Sequence, residues 1–383
     1  IRDTIEVGVG LCDEELVRKV IEGGPDAINR LMYLGAEFDT TDSGILDCSR
    51  EGGHKHARVV HAHGDATGRE IQRVLTNAVT GHDLVTTFPN TFALDIVTAD
   101  GVAYGVVARD ASGKLVLFSS NQIILATGGG GQLYRETTNP TIATADGVAM
   151  AFRAGAIVRD PEFFQFHPTC LYIAGAARVL ISEIVRGHGG VLRNKMGDRF
   201  MDESHPDAEL APRDVVSRAV FRQMIETNDT NVYLDLSCVD GDPHRLFPGI
   251  SKMCGFFGID IAKDPVPVRP GAHYMIGGVQ VDHDGRTSIP GVWAVGECAS
   301  SGLHGANRMG SNSLLEGMVL GEAAGRNAAL LSKSTKRPRP SRILRRELDD
   351  APHGIELGIS DLIYSMKSLM WRQVGLERNE EQL

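Results

Sequence analysis

An arginine and a histidine lie just before the start of a predicted helix in this chain. His304 and Arg308 lie in the glycine-bounded stretch HGANRMGSNSLLEG (304–317), directly before an apolar run of helical character. A helix N-terminus already carries partial positive charge, so a cation just ahead of it is favourable only where the loop binds an anion. The stretch therefore predicts an anion site at the start of a helix.

Three further residues of this kind come from distant segments. His167 lies in FFQFHPTCL, Arg213 follows a proline in LAPRDVVSRAV, and His273 lies against glycines in PGAHYMIGGV. Taken singly, each is open between a site residue and a buried structural histidine or an ion-paired arginine. If they meet His304 and Arg308, they form a cationic pocket suited to a ligand with two carboxylates.

The stretch SREGGHKHARVVHAHGD (49–65) contains Glu51 and four histidines. Two H-x-H pairs can bind a metal from neighbouring strands, but no cysteine or strict ligand spacing supports this alternative. We expect instead a substrate loop in which Glu51 is the functional acid and most of the histidines are structural or solvated. An acid suits a cationic pocket only if the ligand also carries a positive group, and a dicarboxylate with an ammonium group is aspartate.

Three weaker signals indicate a flavin nucleotide. IILATGGGGQLY (123–134) is a strand followed by four glycines, which allow close approach to a cofactor, although a flexible turn is the simpler alternative. In WAVGE, Glu297 follows a buried strand and can bind sugar hydroxyls. The helix start at Ser311–Ser313 offers free N–H groups for a reduced flavin. A GxGxxG fingerprint is missing from the chain.

The pattern of apolar residues predicts the elements that position these residues. We expect two helices within residues 1–45, separated by a Gly-Gly-Pro break, and a helix near 65–79 with Asp65 and Thr67 as cap candidates. Short β-rich runs between 84 and 126 predict an antiparallel meander that ends in a buried strand. Further predicted elements are a helix at 145–156, a mixed lobe at 160–275, a buried strand at 291–297, a helix at 313–332 and a linker at 333–342 followed by helix-like segments.

Bulk properties restrict the class of protein. The 383 residues predict two or three domains, and a net charge of -10 argues against a general nucleic-acid surface. Six scattered cysteines without a CxxC pair predict reduced thiols in the cytosol, and no apolar run approaches the length of a membrane span. Because the chain starts at IRDT without Met, we expect an upstream segment, in which any targeting peptide would lie.

Together, REGGHKH, ATGGGG, FQFHPT, SEIVRGHGG, APRDVVSRA, AHYMIGGV and VGECASSGLHGANRMGSNSLLEG resemble the L-aspartate oxidase family of the succinate dehydrogenase/fumarate reductase flavoprotein superfamily. The resemblance implies an α/β fold with an α+β capping lobe. It implies a Rossmann-like FAD-binding domain (1–160 and 276–332) without its N-terminal nucleotide unit, a capping domain (161–275), and a linker with a shortened C-terminal helical domain (333–383). The implied reaction is FAD-dependent oxidation of L-aspartate to iminoaspartate with O2 or fumarate as acceptor, the first step of NAD biosynthesis.

The resemblance also implies residue roles. Arg213 matches the family's proton donor/acceptor, and His167 and His273 complete the catalytic set. Arginine is almost never deprotonated, so this role requires a carboxylate beside it. The implied substrate ligands are Glu51, His167, Ser182, His273 and Arg308; Ser182 stands where relatives commonly have threonine. The implied FAD contacts are Phe92, Ala93, Gly128, Gly129, Asp146, Glu297, Ser313 and Leu314; no metal is implied.

Two alternatives remain at this stage: a respiratory succinate dehydrogenase or fumarate reductase flavoprotein subunit, and a non-catalytic binding protein. The resemblance implies small-molecule partners (L-aspartate, fumarate and O2), a hand-off of labile iminoaspartate to quinolinate synthase, and neither a nucleic-acid nor a membrane partner. We expect a cytoplasmic protein that is a monomer or a weak homo-oligomer.

Overall fold

The computed structural model describes residues 1–64, 66–176, 178–334 and 358–381. Its helices, numbered in chain order, are α1 (Arg2–Val7), α2 (Glu14–Tyr33), α3 (Thr67–Thr80), α4 (Asp146–Arg153), α5 (Ile184–Gly187), α6 (Met201–Ser204), α7 (Arg213–Glu226), α8 (Pro243–Leu246), α9 (Pro248–Gly255), α10 (Asn312–Ser334) and α11 (Ile359–Gln373).

The strands fall into five small sheets. They are β1 (Cys48–Ser49), β2 (Val59–Val60), β3 (Phe92–Ala99), β4 (Val102–Arg109), β5 (Leu115–Ser119), β6 (Ile123–Leu125), β7 (Val158–Arg159), β8 (Phe164–Leu171), β9 (Val179–Leu180), β10 (Val191–Arg193), β11 (Val232–Asp235), β12 (Val266–Met275), β13 (Gly278–Gln280), β14 (Val292–Ala294) and β15 (Ala299–Ser300).

The predicted meander is correct for three of its strands. Strands β3, β4 and β5 pair antiparallel in sequence order. The run at 84–88 is not a strand. Strand β6 leaves the meander and pairs in parallel with β14, Ile123 opposite Val292. Parallel pairing brings the carboxyl ends of β6 and β14 to the same edge, so the four glycines and Glu297 emerge side by side.

The predicted mixed lobe contains a five-stranded sheet in the order β10-β11-β12-β8-β9. Strand β8 is buried along its whole length and pairs antiparallel with β12, so that Gly271 lies opposite His167. Helix α7 packs against β8. One hydrophobic core of this lobe draws all its buried members from residues 171–268. The domain boundaries at 160, 275 and 332 stay predictions.

The predicted Gly-Gly-Pro break in the N-terminal helices is wrong. Helix α2 runs without interruption through Gly23, Gly24 and Pro25. A Cβ on Gly23 would lie 3.2 Å from the side chain of Val319, and one on Gly24 would lie 3.4 Å from Leu315, so the two glycines give α10 close access to α2. This tertiary contact outweighs the weak helix propensity of the three residues.

The predicted cap of α3 is also wrong in detail. Thr67 is the first helical residue rather than the cap; the cap position is Ala66, which makes no side-chain cap bond. The Thr67 hydroxyl accepts a hydrogen bond from the backbone N–H of Ala62. Asp65, the other candidate, lies outside the described residues. So does most of the predicted linker, while its first two residues, 333 and 334, belong to α10.

Helix α11 connects the C-terminal part of the chain to the strand that carries His167. The ring of Trp371 meets the ring of Phe166 at a centroid distance of 5.8 Å, and the Arg269 guanidinium stacks 5.4 Å from the Trp371 ring. Within the described ranges, no helix is long and apolar enough to cross a bilayer.

Candidate functional site

Arg213 and Arg308 meet at one side chain. Gln165 Oε1 accepts a hydrogen bond from Arg213 Nη1 at 3.2 Å and from Arg308 Nη1 at 3.3 Å. The Gln165 amide group donates to Asn307 Oδ1 and to the backbone carbonyl of Arg308. A neutral amide therefore bridges two guanidinium groups without cancelling either charge. Such a pair attracts an anion.

Arg213 is the first residue of α7 and belongs to a buried ion pair. Its Nε donates to Glu183 Oε2 at 2.6 Å, and Glu183 Oε1 lies 3.5 Å from Arg186 Nη2. Burial alone would raise the pKa of Glu183, but the charges of Arg213 and Arg186 outweigh burial and hold this pKa at about 2. Glu183 thus stays ionised, and it lies where a carboxylate is needed if Arg213 is to exchange a proton.

Arg308 is held by neutral groups instead. Its Nε donates to the Ser313 hydroxyl, and its guanidinium stacks 4.5 Å from the centre of the Tyr274 ring. Burial, assisted by the charge of Arg213, lowers the pKa of Arg308 to about 10. Arg308 remains a cation at neutral pH, but a poorly compensated one.

His304, expected among the cations of the pocket, lies behind Tyr274. Its Nε2 is 3.0 Å from Glu316 Oε2, and Tyr274 Oη is 3.4 Å from the same oxygen. The Ser301 hydroxyl donates to the other oxygen of Glu316. The Nε2 side of the His304 ring is thus engaged by a buried acid that fixes the tyrosine under Arg308, and the contribution of His304 to the anion site stays a prediction.

His167 and His273 face each other from paired strands. Their rings meet edge to face with a centroid separation of 5.2 Å. Burial, reinforced by the charge of Arg213, lowers the pKa of both histidines well below the ordinary value. The His167 Nδ1 accepts from the backbone N–H of Thr169, so the neutral ring carries its proton on Nε2. This buried Nε2 has no hydrogen-bond partner among the described residues, as expected of a donor for a ligand carboxylate.

Glu51 reaches the same place from the loop between β1 and β2. A Cβ on Gly310 would lie 2.8 Å from Glu51 Oε2 and 2.9 Å from Arg213 Nη2, so both groups close around this glycine. Ser311 Oγ donates to Glu51 Oε2 at 3.0 Å. Glu51, Ser182, Arg213 and Arg308 all line a cavity of about 610 Å³.

Three of the predicted cofactor residues, Gly128, Gly129 and Glu297, follow the shared edge of β6 and β14. Gly128 has φ +71° and open space where a side chain would be, and Gly129 leaves no room for a Cβ beside Glu297. Glu297 Oε1 accepts from the backbone N–H of Met275, and burial raises the pKa of this acid. Asp146 opens α4 and accepts from the Thr144 hydroxyl. The carboxyl groups can accept hydrogen bonds from cofactor hydroxyls, and the uncovered glycine allows the backbone to approach a cofactor closely.

The remaining cofactor candidates are more exposed. Phe92, at the start of β3, and Leu314, in the first turn of α10, are 55% and 45% exposed, and Ala93 is half-buried. Ser313 is engaged by Arg308. The exposed Leu314 lies at a helix N-terminus, which favours a flat ring system that carries negative charge. The described residues therefore fit FAD, but the individual roles stay predictions.

Sequence reasoning missed Gln165 and Glu183. Gln165 is a single polar residue in the apolar run FFQF, whereas Glu183 follows Ser182 in SEIVRG, and both are almost completely buried, at 3% and 2% exposure. For Gln165, the available signal was a polar side chain within an apolar run, which requires a partner once it is buried. Among the described residues, no group of three or more histidine, cysteine or acidic side chains could hold a metal ion.

Comparison with known proteins identifies the class. A family model described as "FAD binding domain" matches residues 1–314, and the chain belongs to this family. FAD is accordingly the cofactor of its class.

The curated relatives are more particular. The chain is 45% identical to an L-aspartate oxidase of Streptomyces coelicolor over 88% of its length, and 42% identical to a chloroplastic L-aspartate oxidase of Arabidopsis thaliana over 99%. It spans 61% and 62% of these two relatives, and 73% of the L-aspartate oxidase 1 of Ralstonia nicotianae, to which it is 42% identical.

Solved structures give the same fold. An E. coli quinol fumarate reductase aligns over 100% of this chain and 69% of its own, with a TM-score of 0.90 and 33% identity. A second quinol-fumarate reductase, solved with menaquinol, aligns over 100% and 70%, with a TM-score of 0.92 and 34% identity. The expected superfamily and its α/β fold are confirmed.

Proposed function

We propose that the chain carries the substrate site of an FAD-dependent L-aspartate oxidase, which converts L-aspartate to iminoaspartate with O2 or fumarate as electron acceptor. The observation that supports this most directly is that Arg213 and Arg308 both donate to Gln165, while Glu51 and Arg213 both lie beside Gly310. Two cations and one acid match a dicarboxylate that bears an ammonium group.

In the proposed complex, Arg308 binds one carboxylate of aspartate, and the neutral rings of His167 and His273 with the Ser182 hydroxyl bind the other. Arg308 offers a planar fork, which pairs with a carboxylate through two hydrogen bonds. His167 donates from its unpartnered Nε2. Glu51 accepts from the ammonium group and so fixes which face of Cα is presented.

The reaction removes a hydride from Cα and a proton from nitrogen. FAD, held by Gly128, Asp146, Glu297, Ser313 and Leu314, would supply the two-electron acceptor. The side chains of this chain hold the substrate in one orientation, and such positioning is worth about 7–11 kcal/mol of barrier in favourable cases. Arg213 remains a cation paired with Glu183, and its charge stabilises the bound carboxylates.

The second candidate is a fumarate reductase or succinate dehydrogenase flavoprotein, which the likeness to solved quinol-fumarate reductases favours. The discriminating residue is Glu51, because succinate and fumarate carry no ammonium group. The full-length protein should produce peroxide when given aspartate. Glu51→Gln should reduce aspartate oxidation about tenfold or more while leaving fumarate reduction within about threefold.

Succinate oxidation with a quinone acceptor, together with no aspartate-dependent peroxide, would instead identify the respiratory function. Equal losses of both activities in Glu51→Gln would remove the ammonium role from Glu51. A protein without a flavin absorbance band would be the non-catalytic alternative.

The remaining proposals concern the cellular context. Iminoaspartate is labile, so its formation would supply quinolinate synthase in NAD biosynthesis. We further propose a cytoplasmic monomer or weak homo-oligomer, and the domain division 1–160 with 276–332, 161–275 and 333–383. Size-exclusion chromatography with light scattering tests the oligomeric state; a stable tetramer would contradict it.

A further inference from the structure

The two histidines of the first H-x-H pair have opposite environments. His54 is buried, with 5% exposure, whereas His56, two residues later, is exposed. His54 is not among the residues assigned above to substrate or cofactor, but it lines the same cavity as Glu51 and Arg308. A buried polar ring next to a substrate site needs partners that define its role.

Both ring nitrogens of His54 have such partners. Arg58 Nε donates to His54 Nδ1 at 3.0 Å, and Arg58 is itself paired with Asp3. His54 Nε2 lies 3.2 Å from the backbone carbonyl oxygen of Gly310. Because an arginine can only donate, Nδ1 is the acceptor, and the proton of the neutral ring is on Nε2, from which it is donated to Gly310. Burial, with the neighbouring charge of Arg58, lowers the pKa of His54 and favours this neutral form.

The accepting carbonyl belongs to the peptide group that precedes Ser311. Ser311 has φ +69°, a left-handed conformation that is unfavourable for a residue with a side chain. The hydrogen bond from His54 fixes the orientation of the Gly310–Ser311 peptide group. In this conformation, Ser311 Oγ donates to Glu51 Oε2 at 3.0 Å.

The main chain of His54 fixes Glu51 from the other side. The His54 backbone N–H donates to the carbonyl of Glu51 at 3.1 Å, and the His54 carbonyl accepts from Arg50 Nε at 2.8 Å. Residues 51–54 thus form a closed turn with the acid at its first position and the histidine at its last. The ring and the backbone of His54 together define where the Glu51 carboxylate lies relative to Gly310.

We propose that His54 is a positioning residue for substrate specificity: through Gly310 and Ser311, it holds the Glu51 carboxylate where it meets the ammonium group of an amino dicarboxylate. This inference rests on the proposed aspartate oxidation and adds a residue that acts only through Glu51. Ligands without an ammonium group should be indifferent to it. His56 provides a matched control in the same loop.

The test compares His54→Ala, His54→Gln and His56→Ala in the full-length flavin-loaded protein, with the KM for aspartate and the inhibition constant of succinate as readouts. His54→Ala should raise the aspartate KM about tenfold, the usual value of a lost buried hydrogen bond. Succinate inhibition should stay within about twofold. His54→Gln retains a donor for Gly310 and should recover most of the loss. His56→Ala should match the unmodified protein.

A double variant separates positioning from general structural support. In a Glu51→Gln background, His54→Ala should add no further increase in the aspartate KM, since its effect passes through the acid. Additive losses would overturn the proposal. So would equal weakening of aspartate and succinate binding, no effect of His54→Ala, or an equal effect of His56→Ala.

Folding and function are kept apart by two further observations. If His54→Ala does not retain flavin, Ser311→Ala tests the same connection, and unchanged selectivity between aspartate and succinate would overturn the proposal. If the unmodified protein retains flavin but aspartate does not reduce it, the proposed function fails. If aspartate reduces it and the His54 variants keep normal selectivity, only the positioning role fails.

Discussion

The two arginines of the site both contact Gln165 but differ in their ion pairing among the described residues. Arg213, the first residue of α7, is paired with the buried Glu183, which is itself next to Arg186. Arg308 lies before α10 and contacts a hydroxyl, an amide and an aromatic ring. Within the described ranges, Arg213 therefore has a directly paired counter-charge, and Arg308 has none in direct contact.

This difference separates two tasks. An arginine with a permanent carboxylate partner keeps its position and charge whether or not a ligand is bound. An arginine held only by neutral groups has its full Coulombic attraction available for a ligand. We therefore expect changes on the Glu183 side to alter stability and turnover, and changes on the Arg308 side to alter substrate affinity.

The largest effect is expected for Glu183→Gln. Removing this carboxylate leaves Arg213 and Arg186 buried without a counter-charge, which costs about 3–5 kcal/mol of the free energy of unfolding. Turnover should fall about a hundredfold or more, since Arg213 loses its anchor. Urea denaturation and steady-state kinetics measure both. If Glu183→Gln changes mainly the aspartate KM, the proposed difference between the Arg213 and Arg308 sides of the site is contradicted.

Arg308→Lys should raise the aspartate KM about a hundredfold, because a point charge replaces a planar fork that binds a carboxylate through two hydrogen bonds. Its stability should change by less than about 1 kcal/mol. Arg218→Lys is a suitable control, since Arg218 is 41% exposed in a surface pair with Asp214. Unchanged kinetics in Arg308→Lys would remove this residue from the site.

Gln165→Leu sharpens the comparison, because Gln165 accepts a hydrogen bond from both arginines. Both lose an acceptor, so the aspartate KM should rise about tenfold and turnover should fall by a similar factor. Gln165→Glu should weaken aspartate binding for a different reason, as a carboxylate would neutralise the cations that attract the ligand. An effect on KM alone would show that Gln165 serves only Arg308.

The smallest expected effect is a pH dependence of stability. Burial lowers the pKa of His167 well below its ordinary value of 6.5. Below pH 6.5 the unfolded chain therefore binds a proton that the folded chain does not, and stability falls as the pH falls. Between pH 6.5 and 5.5 the loss is about 1 kcal/mol for this histidine. Urea denaturation at several pH values measures the free energy of unfolding, and His167→Asn should make this free energy depend less steeply on pH. An unchanged pH dependence would contradict the lowered pKa of His167.

The sequence predicted the composition of the site better than its connections. Arg213, Arg308 and Glu51 were identified because each is a charged residue in an unsuitable local setting. Gln165 and Glu183 were missed, since the sequence does not reveal the partner that a buried polar residue finds in the fold. The sequence also gave no sign that Glu316, on helix α10, accepts a hydrogen bond from the ring of His304.

Elements were predicted well where one pattern dominates. The 313–332 helix corresponds to α10 and the β-rich runs to β3, β4 and β5. The continuity of α2 through Pro25 was not predictable, because it depends on α10 packing almost 300 residues later in the chain. The same limit applies to His54 and His56: the sequence does not distinguish the two histidines, yet His54 is buried and His56 is exposed.

The placement of Trp371 has an experimental consequence. The chain contains two tryptophans, and the other, Trp293, is almost completely buried, with its indole N–H bonded to Gln122. Trp371 touches Phe166, the immediate neighbour of His167. We expect a ligand that binds His167 to alter this ring contact and so to change the emission of Trp371, while the emission of the buried Trp293 stays constant. Trp371 would then serve as an intrinsic fluorescent reporter of ligand binding.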